Sequence, residues 1–267
     1  MLRETGRLRV ARFLSHRPVL NRFQAGAIHL ALSAMVVTAV FLPIYFFWYP
    51  GALFEAAGGL DLLLLVACVD LTLGPIITTT VYRHGKRGMK FDLVVIATMQ
   101  LLALAYGVSV MFESRPVYVV FVKDRYELVR ANQVAENDLG KSLRKPRAAL
   151  SLWGPRLVGA VLPTDPEEKF QLGISGLGGV DVQAYPQFHV PYEQVREQAA
   201  AKAAPIAKLR RLNPADTARI DRMVAKLGPE QELGFIPLRA GKTDLSVVLS
   251  KSTGNVLAYA SQRPWEY

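Results

Sequence analysis

Apolar positions are spread unevenly along this chain. In the first 112 residues they run in three long blocks, roughly Ala25–Tyr49, Gly59–Tyr82 and Phe91–Phe112. Each is about as long as a helix rising ~1.5 Å per residue must be to cross a hydrocarbon core of ~30 Å. The pattern predicts three transmembrane helices. From "SRPVYVVFVKDRYELV" onward, charges and turn residues interrupt the apolar runs. The remaining roughly 150 residues suffice for one globular domain, with Arg115-Pro116 as the joint.

Within that second region, Val117–Phe121 is β-branched and aromatic and "RYELV" continues the alternation, which predicts a strand from Pro116 to about Val129, bent at "KDR". "RLVGAVLP", 156–163, reads as a second strand. In "PTDPEEKFQLGISGLGG", Asp165 is placed to cap a short helix with Pro166 at its first position and glycines at its end. "VPYEQVREQAAAKAAPIAKLRRL" is helix-rich, kinked or split at Pro205. "NPADTARIDRMVAKLG" predicts a further helix starting at Asn213-Pro214 and stopping at Gly228, with Ile220, Met223, Val224 and Leu227 as its buried stripe. The end holds three short β-type segments separated by "AGKT" and "STGN", read as an antiparallel meander. The expected fold class is therefore a membrane protein with three N-terminal transmembrane α-helices and a C-terminal α+β domain. The expected organisation is 1–24 basic flank, 25–113 membrane region and 114–267 globular domain.

Charge sets the orientation. Arg3, Arg7, Arg9, Arg12, Arg17 and Arg22 precede the first block, and Arg83, Lys86, Arg87 and Lys90 separate the second from the third, whereas "PGALFEAAGG" has no Lys or Arg. Basic short loops stay in the cytoplasm, so the globular domain is expected on the opposite side. The first block exceeds the ~7–15-residue apolar stretch of a signal peptide and is expected to remain as an anchor. Ten of the 32 basic residues lie in these flanks, which leaves 22 against 17 acids from Glu113 onward. The net charge of +10 is thus largely topological, and a nucleic-acid partner is not expected.

Motifs for catalysis are missing. "GISGLGG", 173–179, has the wrong spacing for a phosphate loop and reads as a helix end with a turn. His16, His29, His84 and His189 show no paired metal-ligand spacing, and His189 in "QFHVPY" reads as a structural loop residue. No Gly-x-Ser-x-Gly elbow occurs. Asp165, Glu167 and Glu168 are explained by a helix N-terminus. Cys68, the only cysteine, is expected to pack as a small hydrophobe. The chain therefore reads as no enzyme, with no metal and no cofactor.

Asp70 stands apart. In "VACVDLTLGPIITTTV", residues 66–81, it lies near the middle of an apolar block, where an uncompensated Asp costs about 2.5–3.5 kcal/mol on insertion scales. Asp61 and Asp92 sit nearer membrane edges, and Gln100 and His29 are placed for hydrogen bonds between helices. Pro75 removes a backbone donor and Gly74 permits close approach, so the helix can bend there, while Thr72, Thr78, Thr79 and Thr80 can bond freed carbonyls. Two readings stand side by side for Asp70, a carboxyl tying helices together and a functional group. A helix-binding groove fits three helices with one deep acid better than a complete ion pathway does.

"VDLTLGPIIT", the basic loop, "KFDLVVIATMQLLALAYGV" and "SRPVYVVFVKDRYELV" together resemble the type IV pilin accessory proteins, the TfpX/TfpZ family that includes FimB-like proteins. The likeness is clearest from about Val69 to Val129, and "ELGFIPLRAGKTDLSVVLSKSTGNVLAY" looks like the family's ending. It implies a protein of the bacterial inner membrane with a periplasmic C-terminal domain. Such a protein assists type IV pilus biogenesis through pilin itself and other inner-membrane assembly proteins, without established catalytic activity. Among the matched positions, which also include Lys90 and Phe91, the candidate partner-binding residues are Asp70, Leu73, Gly74, Pro75, Asp92, Arg115, Pro116 and Tyr118. A membrane-anchored sensor and a small transporter-like protein using Asp70 are the alternatives.

Overall fold

The computed structural model describes residues 20–134 and 150–266. Arg3, Arg7, Arg9, Arg12, Arg17 and His16 lie outside the described residues. Three helices are long and apolar enough to cross a membrane, Arg22–Trp48, Gly59–Val81 and Met89–Glu113, each within a few residues of its expected bounds. Their outward faces are apolar, with Phe91 72% exposed and Leu65 67%. In water such surface would be a large liability, and lipid is the solvent that suits it.

By its internal contacts the chain divides into two units. One comprises residues up to Val40 together with Leu63–Gly107, and the other comprises Phe41–Leu62 and Val108 onward. Among its described residues the first holds helices and the loop 82–88, with no strand. Cys68 is exposed on it, because its position on the second span turns outward while Val66 and Asp70 turn inward.

The second unit is built on an eight-stranded mixed sheet. Its strands are β1 (Pro116–Val122), β2 (Arg125–Arg130), β3 (Arg156–Ala160), β4 (His189–Pro191), β5 (Ala204–Pro205), β6 (Leu233–Arg239), β7 (Leu245–Ser250) and β8 (Val256–Ala260). The order is β4-β3-β1-β2-β6-β7-β8, with β5 on β6. β1 is parallel to β3 and β2 is parallel to β6, and the other pairs are antiparallel. Four helices accompany it, α1 (Pro166–Leu177), α2 (Arg196–Lys202), α3 (Ile206–Leu212) and α4 (Thr217–Leu227). The α+β expectation holds, as does the C-terminal meander.

Several boundaries differ from the sequence reading, each for a local reason. The single bent strand 116–129 is a hairpin, because Lys123 adopts φ +56° and the Asp124 N–H returns to the Val122 carbonyl at 2.7 Å. The second strand stops at Ala160 rather than 163, short of Pro163, which has no N–H for a ladder. Pro205 does more than kink its helix. It sits in β5 between α2 and α3, where its missing donor is tolerated. Asn213-Pro214 opens a single tight turn, and α4 proper starts at Thr217. His189 lies in β4 rather than a loop, its Nε2 bonded to the Gln183 carbonyl at 2.9 Å. Asp165 caps α1 as expected, accepting from the Glu168 N–H at 3.0 Å.

Side-chain burial explains the sheet's position. From Pro116 to Phe121 every residue of β1 is buried, the mark of a central strand covered on both faces. Ile206, Leu209 and Leu212 of α3 and Ile220 and Val224 of α4 pack on Leu233, Phe235 and Val248, each burial worth about 1.5–3 kcal/mol. The span ends belong to this unit too. Tyr49 and Leu53 are fully buried there, and the Tyr49 hydroxyl donates to the Met111 carbonyl at 2.9 Å.

Candidate functional site

The polar residues singled out in the membrane region meet inside the helical unit. The second span is not a uniform α-helix. It widens into a π-helical turn over Val69–Leu73 and resumes as an α-helix at Gly74. Pro75 supplies a cause, since it has no N–H to close either register with the turn below. Thr72, Thr79 and Thr80 bond back to the carbonyls of Cys68, Pro75 and Ile76.

Across from this turn, the Gln100 amide nitrogen donates to the Asp70 main-chain oxygen at 3.1 Å. Gln100 Oε1 lies 2.5 Å from His29 Nε2, and His29 Nδ1 lies 2.6 Å from the Thr78 hydroxyl. A carbonyl oxygen only accepts, so Nε2 donates to Gln100, while Nδ1 and the Thr78 hydroxyl share a hydrogen bond. The result is a chain of bonds, Thr78 to His29 to Gln100 to the Asp70 backbone, which joins all three spans. Gly74 makes room for it, because a Cβ there would collide with the Gln100 amide, and one at Gly26 would collide with the Thr79 hydroxyl.

Asp70 itself is 4% exposed, and its Oδ1 is buried without a hydrogen-bond partner among the described residues. It lines a groove of about 400 Å³ with His29, Thr78 and Gln100, whose other walls are mostly apolar, among them Ile28, Leu32, Leu93 and Leu104, with Ser33 and Tyr82 adding hydroxyls. The carboxyl is enclosed by the spans, and the channel beside it offers chiefly apolar packing with a few polar groups along its wall.

The other candidates are placed elsewhere. Leu73 is 53% exposed, and Pro75 is half-buried beside Gly74. Asp92 pairs with Lys86 at 2.6 Å in the basic loop. Arg115, Pro116 and Tyr118 are buried in the sheet unit. Arg115 donates to the carbonyls of Phe112 at 2.5 Å and Ser151 at 3.2 Å, and burial lowers its affinity for its proton from the ordinary value. The Tyr118 ring stands edge-on to His189, centroids 4.8 Å apart. Among the described residues no cluster of three or more His, Cys, Asp or Glu could hold a metal.

One surface escaped the sequence reading. Phe170, Ile174 and Leu177 of α1 are all exposed among the described residues, Leu177 at 87%. Their spacing of four and three residues forms one apolar helical stripe. That spacing was visible in "EEKFQLGISGL", but so short an apolar set reads equally as a face packed on the core.

The chain is similar to fimbrial assembly proteins of Dichelobacter nodosus. The serogroup E1 protein is 26% identical over 231 residues, 84% of this chain and 89% of that one. The serogroup I protein is 26% identical over 230 residues with the same coverage. The protein of serogroups C1 and C2 is 30% identical over 114 residues, which is 42% of this chain and 87% of that one. No protein-family model matches the chain, and no solved structure is a significant match.

Proposed function

The chain belongs to the family of fimbrial assembly proteins, and from that premise we propose that it is a non-enzymatic accessory protein of the bacterial inner membrane that binds type IV pilin. A pilin subunit awaiting assembly has an apolar helix in the bilayer and a globular head outside it. The groove beside Asp70 takes the helix, with exposed Leu73 three residues on along the same span, and the sheet unit takes the head. In this reading Arg115, Pro116 and Tyr118 act from inside the sheet unit, holding the strand that follows the third span, and Asp92 fixes the basic loop. The N-terminus and that loop are cytoplasmic and the sheet unit is periplasmic, in keeping with basic loops staying inside. Partners are the major pilin, other inner-membrane assembly proteins and the bilayer, and neither a nucleic acid nor a cofactor is part of the reading.

The observation that carries this proposal is the largely apolar groove of about 400 Å³ built from three spans around the buried Asp70. A helix lying in that groove is held by van der Waals packing, and a hydroxyl or amide on its apolar face bonds the polar groups along the wall. The α1 stripe of Phe170, Ile174 and Leu177 is the surface best suited to the head. The test is photocrosslinking in cells from probes at Leu73 and Phe170, followed by identification of the trapped protein. Pilin captured at both positions supports a two-part pilin-binding role, and Asp70→Ala then reduces capture at Leu73 while leaving membrane insertion intact. Absence of pilin at both positions, with the protein well expressed, overturns it.

A further inference from the structure

A second cavity, within the sheet unit, carries an inference independent of pilin. It measures about 580 Å³, and its lining includes Tyr45, Glu55, Arg219, Met223, Tyr259 and Gln262. Tyr45 belongs to the end of the first span, so this cavity opens where a membrane helix meets the bilayer surface. Tyr45, Phe46, Phe47 and Trp48 there form the kind of aromatic girdle that sits at headgroup level.

The basic face beside the cavity points to a ligand. Arg219 starts a stripe on α4 that continues through Arg222 and Lys226, all exposed. None of the three is ion-paired among the described residues, whereas Arg210 nearby holds both Asp221 and Glu230. Met223 and Leu227 are half-buried beside the stripe, giving the basic and apolar faces of an interfacial helix.

We infer that this cavity binds the headgroup phosphate of an anionic phospholipid, with Arg219 donating to its oxygens and Arg222 and Lys226 extending the attraction along α4. Glu55, which also lines the cavity and is exposed, repels negative charge and so favours a phosphate held at Arg219. Phosphate and guanidinium match in geometry, and the short distance from a membrane helix end keeps lipid at high local concentration. A free phosphate would make the same polar contacts but would leave Met223 and Tyr45 without acyl or glycerol neighbours.

The test uses the full chain in nanodiscs of phosphatidylcholine mixed with phosphatidylglycerol, counting by native mass spectrometry the lipids retained after release. Wild type retains phosphatidylglycerol in preference to phosphatidylcholine, and each of Arg219→Gln, Arg222→Gln and Lys226→Gln weakens that preference roughly fivefold. Arg219→Lys, which keeps the charge but not the fork, retains part of it and controls for folding. Undiminished phosphatidylglycerol retention in the three Gln variants overturns the inference. So does equal retention of phosphatidylethanolamine, or displacement of the lipid by inorganic phosphate alone. Variants that keep the lipid preference but lose pilin crosslinks would make the stripe a protein-docking face instead.

Discussion

The side chain of Gln100 on the third span donates to the main-chain oxygen of Asp70 on the second, at 3.1 Å. In a π-helical turn the Asp70 carbonyl would receive the N–H five residues on, and that residue is Pro75, which has none. Gln100 therefore supplies from a neighbouring helix the hydrogen bond that the second span cannot make for itself. It also accepts from His29, so one amide closes two polar gaps.

Gln100→Leu keeps the volume and removes both bonds. It leaves the Asp70 carbonyl and the His29 Nε2–H unsatisfied, at about 1–3 kcal/mol for each buried orphan. Thermal unfolding of the detergent-solubilised protein should fall clearly for Gln100→Leu. An unchanged midpoint would mean that the chain of bonds contributes nothing to stability.

Gly74 gives a sharper form of the same argument. A Cβ there meets the Gln100 amide directly, so Gly74→Ala is expected to destabilise by pushing Gln100 off the Asp70 carbonyl. Shortening the obstructing side chain removes the clash. The double variant Gly74→Ala/Gln100→Ala should thus cost less than the two single costs added, with a coupling of about 0.5–3 kcal/mol. Strict additivity would show that Gly74 and Gln100 do not compete for the same space.

The sequence carried the membrane spans plainly, because about 20 apolar residues in succession have few other uses. It also carried Asp70, His29, Gln100 and the Gly74-Pro75 pair as polar or bending features out of place in lipid. It could not show that they meet, since His29 and Gln100 are 71 positions apart and periodicity does not report which helical faces turn together. In the second region the caps of α1 and the final meander were legible from local signals, Asp165-Pro166 and "STGN". The parallel pairing of β1 with β3 and β2 with β6 was not, because it joins distant segments whose partners no turn specifies. The hairpin at Lys123 was missed for the opposite reason. Lysine is an unusual residue at positive φ, so the turn lacked its usual glycine or asparagine mark.

Glu127 on β2 opposes Arg239 on β6, with 3.9 Å between carboxylate and guanidinium. Burial nevertheless dominates and pushes its pKa up to about 7 from an ordinary 4.5, with Arg239 opposing the shift. The folded chain thus holds this proton more tightly than the unfolded one. Its contribution to stability is fully present below about pH 4.5 and is lost as pH rises through about 7. Denaturation of the full chain at a series of pH values should show stability falling across that interval. Glu127→Gln should flatten that part of the profile, and a variant that keeps the full slope would assign it to another group.

Trp153 is 76% exposed, yet its ring stands edge-on to Phe47 of the first span with centroids 5.0 Å apart. Leu152 beside it is exposed as well, so this loop presents two large apolar side chains next to the end of a membrane helix. An indole in that position gains by resting among headgroups, its ring against acyl carbons and its N–H toward water. Replacing Trp48 and Trp265 with Phe leaves Trp153 as the single tryptophan, which makes its surroundings readable by fluorescence. In liposomes its emission should be blue-shifted and quenched by lipids brominated near the headgroup more than by lipids brominated near the chain end. Emission like that of an indole in water, insensitive to either quencher, would place the loop off the bilayer.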